Sequence, residues 1–492
     1  MSLNYTFPKF LNSILATNFN LNMKKIFSVV FIIIFHLFML SSPVKAQDIS
    51  ELPGYVIQPG DSLEEIAVKF GVSISDLIQI NNIPNPDFIS PGQILKIPGL
   101  TGISGTITPV VVGLGESAAR LLIKYQADST ALVKINRITN LSEIYAGSNI
   151  LIPIVETTKI ISPVAILEQN MTELEEAVFL NANPYELLFL NQKPADYFVF
   201  SGDLLFKILL PGEKPLHQLS ASIEEINVNP LPLKQGATAT IRVKTDLPLT
   251  LEGQINGHKL NFFTTDNKNY YALQGINAMA TPGLTEFRLT GIDGTKTVFL
   301  YEQNILLAPV IFETDPPLSV DLEKIDPKLT KPEDELIFSL TSQVIPKKYW
   351  EGIFISPAFY QEYTSFFGNR RTYNNNPEVT YHTGVDFGGG MGLPIVAPAH
   401  GKVVYTGSLS VRGNVTIIDH GLGVFSGYFH QSKIDVNVGD FVTKGQKIGE
   451  VGNSGRVNGA DEFQGAGAHL HWELWVNGVQ VNPLDWLNTA YP

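Results

Sequence analysis

Cysteine is absent from the 492 residues. Disulfides, thiolate metal sites and a lipid-carrying lipobox cysteine are therefore all excluded. Basic charge is scarce: 34 Lys and Arg stand against 47 Asp and Glu, a formal net charge of −13. That balance argues against nucleic acid as the main partner, because phosphate neutralisation needs basic patches. Beyond Ile26–Leu40 no apolar run is long enough to span a bilayer. Histidine is also scarce, yet of only nine in the chain six fall between His382 and His471. Random scatter rarely clusters in that way. The hydrophobic content of 44 % is ordinary for folded protein, so disorder is not the default. The length implies several domains.

The N-terminus reads as an export signal. Lys24 and Lys25 give a basic start, Ile26–Leu40 is apolar, and Val44-Lys45-Ala46 is a small-residue cleavage pattern ahead of Gln47. The apolar run is short for an uncleaved anchor, so cleavage after residue 46 is expected. Met23 begins a normal signal peptide on its own, and residues 1–22 are read as an unused upstream extension. The mature protein is expected outside the cytoplasm.

Residues 54–98 carry a pattern that recurs. Leu63, Ile66, Ala67 and Phe70 fall on one helical face, and Ser62 with Glu65 forms a capping-box pattern at its start. Ser73 and Asp76 mark a second short helix, and apolar stretches at Tyr55–Ile57 and Ile94–Ile97 flank the pair as strands. The prediction is strand–helix–helix–strand. From GDSLEEIA through INNI to PGQILKIP the segment closely resembles a LysM domain. The resemblance implies binding to N-acetylglucosamine-containing glycans, with Gly60, Asp61, Ser62, Asn82, Ile83 and Pro84 as the contact loops. With a shift of about 55 residues and no gaps, Leu77 maps to Leu132 and Leu187, Asn81 to Asn136 and Asn191, and Gly92 to Gly147 and Gly202. Residues 109–153 and 164–208 are read as degenerate copies, and a spacer or packing role is favoured over glycan binding for both.

Residues 218–310 change character. ATATIRVKT alternates with period two, and Asn256-Gly257 and Asp293-Gly294 are hairpin signals. An immunoglobulin-like β-sandwich is expected, serving as a spacer or orienting platform. His217 and His258 are isolated and read as structural or exposed. Residues 313–339, with Asp-Pro-Pro, Asp-Pro and Lys-Pro, are read as a semi-extended linker.

Residues 340–492 are rich in Gly, Val and aromatics, and a mainly antiparallel β core is expected. His382 and Asp386 lie four apart across HTGVD, where a loop entering a strand could bring both to one ion. His469 and His471 lie two apart, which on a strand places them on one face. This is not the helical H-E-x-x-H arrangement. In order, SFFGNRR, HTGVDF, APAHGKV, IIDHGLG, GYFHQS, VGDFVTKGQKIGEVGNSG and HLHWEL closely resemble the lysostaphin-type zinc metallopeptidases over residues 360–487. The resemblance implies one Zn2+ held by His382, Asp386 and His471, with His430 and His469 as the catalytic pair. It also implies peptide bonds of peptidoglycan stems or cross-bridges as substrate. Two imidazoles and one carboxylate suit a catalytic zinc with a fourth position for water. Asn369 and Arg370 are expected to shape the groove.

Other residues read more plainly. His400 and His420 occur in turns and are structural, Trp472 and Trp486 belong to a core, and Asp440 and Asp485 look like turn and cap residues. The stretch RVNGADEFQGAGA between Gly455 and His469 is longer than is usual in the family, and its segment Asn458–Gly465 is expected to wall the groove or cover it. The functional expectation is an exported wall hydrolase, extracellular, in the cell wall or in the periplasm. Its partners would be peptidoglycan, as peptide substrate and as glycan, and a divisome or wall regulator. The alternative is a catalytically silent wall-binding activator, whose signature would be broken ligands. All five ligand and histidine positions are present.

Overall fold

The computed structural model describes residues 52–154, 161–164, 171–191, 198–199, 205–209, 212, 223–320, 322–359, 362–374, 376, 379–457 and 467–492. The segment read as an export signal and the stretch Asn458–Gly465 lie outside the described residues. No helix among the described residues is long and apolar enough to cross a membrane.

The N-terminal region opens with the strand Gly54–Val56, helices Leu63–Phe70 and Ile74–Asn81, and the strand Ile94–Lys96. The first helix carries the full capping box of Ser62 with Glu65 and ends on left-handed Gly71. Leu63, Ile66, Ala67 and Phe70 are its buried face, as their spacing requires. A second unit follows with strand Thr106–Val111, helices Ala118–Tyr125 and Ser129–Asn136, and strand Asn149–Ile154. A third has strand Ile161–Val164, helices Glu173–Phe179 and Pro184–Leu190, and strand Leu205–Ile208.

One asparagine repeats the same task in all three units. Asn81 donates to the carbonyls of Leu77 and Lys96, both at 2.9 Å, and accepts from the Lys96 N–H at 2.7 Å. Asn136 does so with Leu132 and Leu151, and Asn191 with Leu187 and Phe206. The amide ties the second helix to the closing strand and satisfies backbone groups that burial would otherwise orphan. The first two units share one sheet, because Gly54–Val56 and Thr106–Val111 pair in parallel.

Residues 223–308 form two sheets over a common apolar cluster that includes Ile241, Val243, Phe287, Leu289 and Ile305. One sheet carries the hairpin of Gly283–Asp293 and Lys296–Ala308, and the other centres on Thr238–Thr245. Asn256 and Gly257 both take positive φ in the tight turn after Thr250–Ile255, the geometry that a two-residue hairpin needs. These sheets pack onto the C-terminal region. The buried Trp486 indole donates to Thr238 Oγ1 at 3.0 Å, and Asn477 donates to the Leu273 carbonyl at 2.6 Å. Leu273 and Ala278 lie within the C-terminal core itself.

The linker expectation needs correction. Residues 313–320 are extended, but Leu322–Ile325 is a 3-10 turn and Pro327–Thr341 an α-helix with Pro332 inside it. Tertiary contacts override the proline. Glu333, 7 % exposed, accepts from the Val411 and Arg412 N–H groups, and Ile337 packs with Val415, Ile417, Phe425, Phe429 and Trp475.

The C-terminal region is built on one antiparallel sheet. Its order is Tyr363–Ser365, Val385–Gly388, His469–Val476, Val424–Gln431, Gly413–Gly421, Gly401–Leu409 and Phe441–Val442. Trp472, Leu474, Val385, Phe387 and Tyr428 fill the core beneath it.

Candidate metal centre

Strand alternation aims the HLH segment. Leu470 is buried, while His469 and His471 share the opposite face of His469–Val476. Register then brings Asp386 directly beside His471 and Phe429 to its other side. The HTGVD loop enters Val385–Gly388, as its composition predicts. Gly384 is required there, since a Cβ would lie 2.3 Å from the Trp472 carbonyl oxygen. His430 leaves the pleat at a bulge against Gly413–Gly421, with φ of 59°. Such bulges re-aim side chains beside functional sites.

His382, Asp386 and His471 converge. His382 Nε2 is 2.9 Å from His471 Nδ1, and Asp386 Oδ1 is 3.1 Å and 2.7 Å from these two nitrogens. The far ring nitrogens are already committed. His382 Nδ1 lies 3.0 Å from the Phe366 carbonyl, which only accepts, so this nitrogen carries the proton. His471 Nε2 faces the buried Glu473 carboxylate at 3.0 Å and donates to it. His382 Nε2, His471 Nδ1 and a carboxylate oxygen are thus held together, an arrangement that favours a positive charge, a proton or a metal ion, among them. The donor set of imidazole and carboxylate fits a metal, and each imidazole already has the hydrogen-bond acceptor that orients such ligands.

The electrostatics agree. Burial works against the charged form of His471, but the hydrogen bonds and charges of Asp386 and Glu473 overcome it and push the ring up to about 9. Burial also opposes the Asp386 carboxylate, yet His382 and His471 hold it well below the usual carboxylate range. Burial is the main cause that keeps His382 neutral. The centre therefore attracts positive charge.

His430 and His469 stand next to these three. Their rings are 4.9 Å apart, and His469 Nε2 is 3.8 Å from Asp386 Oδ1. His430 Nδ1 donates to the Ser454 carbonyl at 2.7 Å and His469 Nδ1 to the Gly467 carbonyl at 2.8 Å. In the neutral form of each ring, Nε2 is then the lone-pair nitrogen. Burial and the neighbouring His469 and His471 rings hold His430 well below its ordinary value, so it is neutral at ambient pH.

Neither Asn369 nor Arg370, the residues expected to shape the groove, lines it. Asn369 does not face the groove as a contact residue. Its carbonyl accepts from the His382 N–H at 2.8 Å, and its side-chain amide donates to Asp315 at 2.7 Å. Arg370 points away, donating to the Ala278 carbonyl and lying over the Phe312 ring, so its groove assignment is corrected. The two-residue strand Arg370–Arg371 sends adjacent side chains to opposite faces, and Arg371 is the one that lines the groove. Tyr373, Arg412 and Arg456 line it as well.

Glu473, Arg371 and Asp315 join the site beyond the residues expected from the sequence. Glu473 has a local signal, because His469, His471 and Glu473 fall at i, i+2 and i+4 on one strand face. Asp315 lies in the segment read as linker and had no local signal.

Of the residues expected to contact glycan, Gly60, Ser62, Asn82 and Pro84 are exposed. Asp61 is turned inward, accepting from the Tyr55 hydroxyl at 2.7 Å and pairing with Lys69 at 3.1 Å. The Ser62 hydroxyl is spent on the helix cap. Ile83 is corrected: left-handed Asn82 folds the chain back, and the Ile83 side chain joins the core. His420 is fully buried between the His400 carbonyl and Ser426, and burial lowers it to about 4.

Comparison with known proteins follows the same division. The peptidase family M23 profile matches residues 380–483 and the LysM domain profile residues 55–98. Over 121 residues the chain is 39 % identical to the peptidoglycan DD-endopeptidase ShyA of Vibrio cholerae, covering 25 % of this chain and 26 % of that protein. Over 137 residues it is 35 % identical to the DD-carboxypeptidase/endopeptidase Mpg of Neisseria meningitidis, covering 27 % and 29 %. The catalytic domain of the antimicrobial peptidase lysostaphin from Staphylococcus simulans aligns with a TM-score of 0.20 at 27 % identity, over 29 % of this chain and 92 % of that one. The matched segment thus spans only a little over a quarter of these curated relatives' length. By the two family profiles, residues 380–483 are a peptidase family M23 domain and residues 55–98 a LysM domain.

Proposed function

We propose that the chain is an exported, zinc-dependent endopeptidase that hydrolyses peptide bonds of peptidoglycan and is held on the wall by its first LysM module. The convergence of His382, Asp386 and His471 beside His430 and His469 carries this reading. His382 Nε2, Asp386 Oδ1 and His471 Nδ1 would hold one zinc ion. When bound, it would supply Lewis acidity, polarising a carbonyl and easing the loss of a proton from water. The remaining steps belong to the protein. His430 and His469, through their Nε2 atoms, accept the proton of the attacking water, return it to the leaving amine and donate to the oxyanion. Glu473 and the Phe366 carbonyl hold the two ligand rings in the required tautomers.

The N-terminal units divide their labour in this reading. In the first, Gly60 and Asn82 are exposed and Gly60 has nothing within 4 Å of a built Cβ. In the second, the matching Gly115 donates its N–H to Gln303 of the β-domain, and the Arg137 side chain donates to the Val68 carbonyl of the first unit. The first unit is the glycan binder and the second a structural coupler. Residues 218–310 act as an immunoglobulin-like platform, in keeping with the two facing sheets of residues 223–308 and their packing against the C-terminal core. Tethering raises local substrate concentration without altering the chemistry.

The test is incubation of the zinc-loaded full chain with purified peptidoglycan, followed by mass spectrometry of released fragments. New peptide termini that vanish in His471→Ala are expected. Binding to the wall without any new terminus would move the reading to the wall-binding activator.

A further inference from the structure

We propose that Asp315, in the segment that precedes the M23 domain, is a positioning residue of the metal centre and acts through Arg371. The proposal rests on the metal reading above. Residues 313–320 run beside 370–374 and bond to them along their length: Arg370 N–H to the Glu313 carbonyl, Asp315 N–H to the Arg370 carbonyl and Leu318 N–H to the Thr372 carbonyl. This ladder fixes Asp315 at the groove.

Its carboxylate is then fully used. Oδ1 accepts from Asn369 at 2.7 Å, while Oδ2 accepts from Arg371 Nε at 2.7 Å and from the Ser365 hydroxyl at 3.3 Å. Ser365 Oγ in turn accepts from Arg371 Nη2 at 2.6 Å and lies 3.2 Å from His382 Nδ1. Arg371 Nη2 also lies 3.5 Å from Asp386 Oδ2, the oxygen that the two ligand histidines leave free. The network therefore reaches two of the three metal ligands.

The charges give the network its purpose. Arg371 is 14 % exposed and Asp315 18 %, so water screens the pair weakly. A guanidinium alone beside Asp386 would compete with a cation for that carboxylate. Paired with Asp315, its charge is offset, and it steers Oδ2 while Oδ1 remains for the metal. Asp315 thus extends the functional site beyond the boundary of the family match at residue 380.

Zinc affinity of the full chain, measured by competition with a chromogenic chelator, tests this in wild type, Asp315→Asn, Arg371→Met and the double variant. Thermal melting of each metal-free protein is recorded alongside. Asp315→Asn is expected to weaken zinc binding about 10- to 100-fold, the usual effect of losing a partner behind a metal ligand. In the Arg371→Met background the same change is expected to have little effect, since the unbalanced charge is gone. Should Asp315→Asn fail to fold, Asp315→Glu keeps the charge but moves it, and an intermediate loss is expected. Equal affinity in wild type and Asp315→Asn overturns the proposal and leaves the metal reading intact. Equal losses in both backgrounds overturn it as well. Failure of the wild type to bind zinc overturns the metal reading and the proposal with it.

Discussion

The candidate metal centre and the first LysM module solve opposite problems. The centre draws His382, Asp386, His430, His469 and His471 from three separate segments and buries most of them, with every far ring nitrogen hydrogen-bonded. The module takes its proposed contact loops from one short stretch and leaves Gly60, Asn82 and Pro84 in the open. Bond breaking needs preorganised groups shielded from water, so one displaced side chain disables it. Glycan binding needs only accessible surface on a stable support, and losses there are graded. Breaking each in turn should separate the two.

The largest effect is expected at the histidine pair. His430→Ala or His469→Ala should lower the rate of peptide release about 10²- to 10⁴-fold, the usual worth of a positioned acid or base. Zinc content, measured by atomic absorption, should stay near one per chain in both. Loss of zinc together with activity would place these residues among the ligands instead.

A buried histidine outside the centre sharpens the contrast. His420 has a folded pKa of about 4, below the roughly 6.5 of an unfolded histidine. The unfolded chain therefore binds its proton first, and stability falls as pH drops from about 6.5 to about 4, then levels off for this group. The full cost is about 3 kcal/mol, read as the difference in urea-unfolding free energy between pH 7 and pH 4 that His420→Gln lacks. An identical pH slope in both proteins would assign the acid sensitivity elsewhere.

Smaller effects follow from the partners behind the ligands and from the glycan loops. Glu473→Gln should weaken zinc binding about 10- to 100-fold, seen by chelator competition, because the carboxylate orients His471. Asn82→Gly keeps the left-handed turn and removes one polar side chain. Calorimetric titration with an N-acetylglucosamine oligomer should then show about three- to tenfold weaker binding, the worth of one hydrogen bond. Arg137→Gly, the matching change in the second unit, should leave that affinity unchanged.

The same contrast governs what could be read from the amino-acid sequence. Local patterns were legible: the Ser62–Glu65 cap, the Asn256-Gly257 hairpin and the shared face of His469 and His471 each depend on a few neighbouring residues. Relations set by register were not. Which of Arg370 and Arg371 faces the groove depends on how their short strand pairs, and Asp315 gains its place only when 313–320 lies along 370–374. The helix Pro327–Thr341 was hidden because prolines spoke against it locally, while its support comes from residues around Val411 and Phe425. At Ile83 a resemblance carried over a loop position whose side chain the Asn82 turn sends into the core.

Whether the five residues form a metal-dependent peptide-cleaving site is measured by the release of new amino groups from purified peptidoglycan while zinc is titrated into the chelator-stripped full chain. No release is expected without metal, followed by a rise that saturates at about one zinc per chain, the number a single three-ligand site holds. Release that continues in the stripped protein, or that never appears at any zinc level, would contradict such a site.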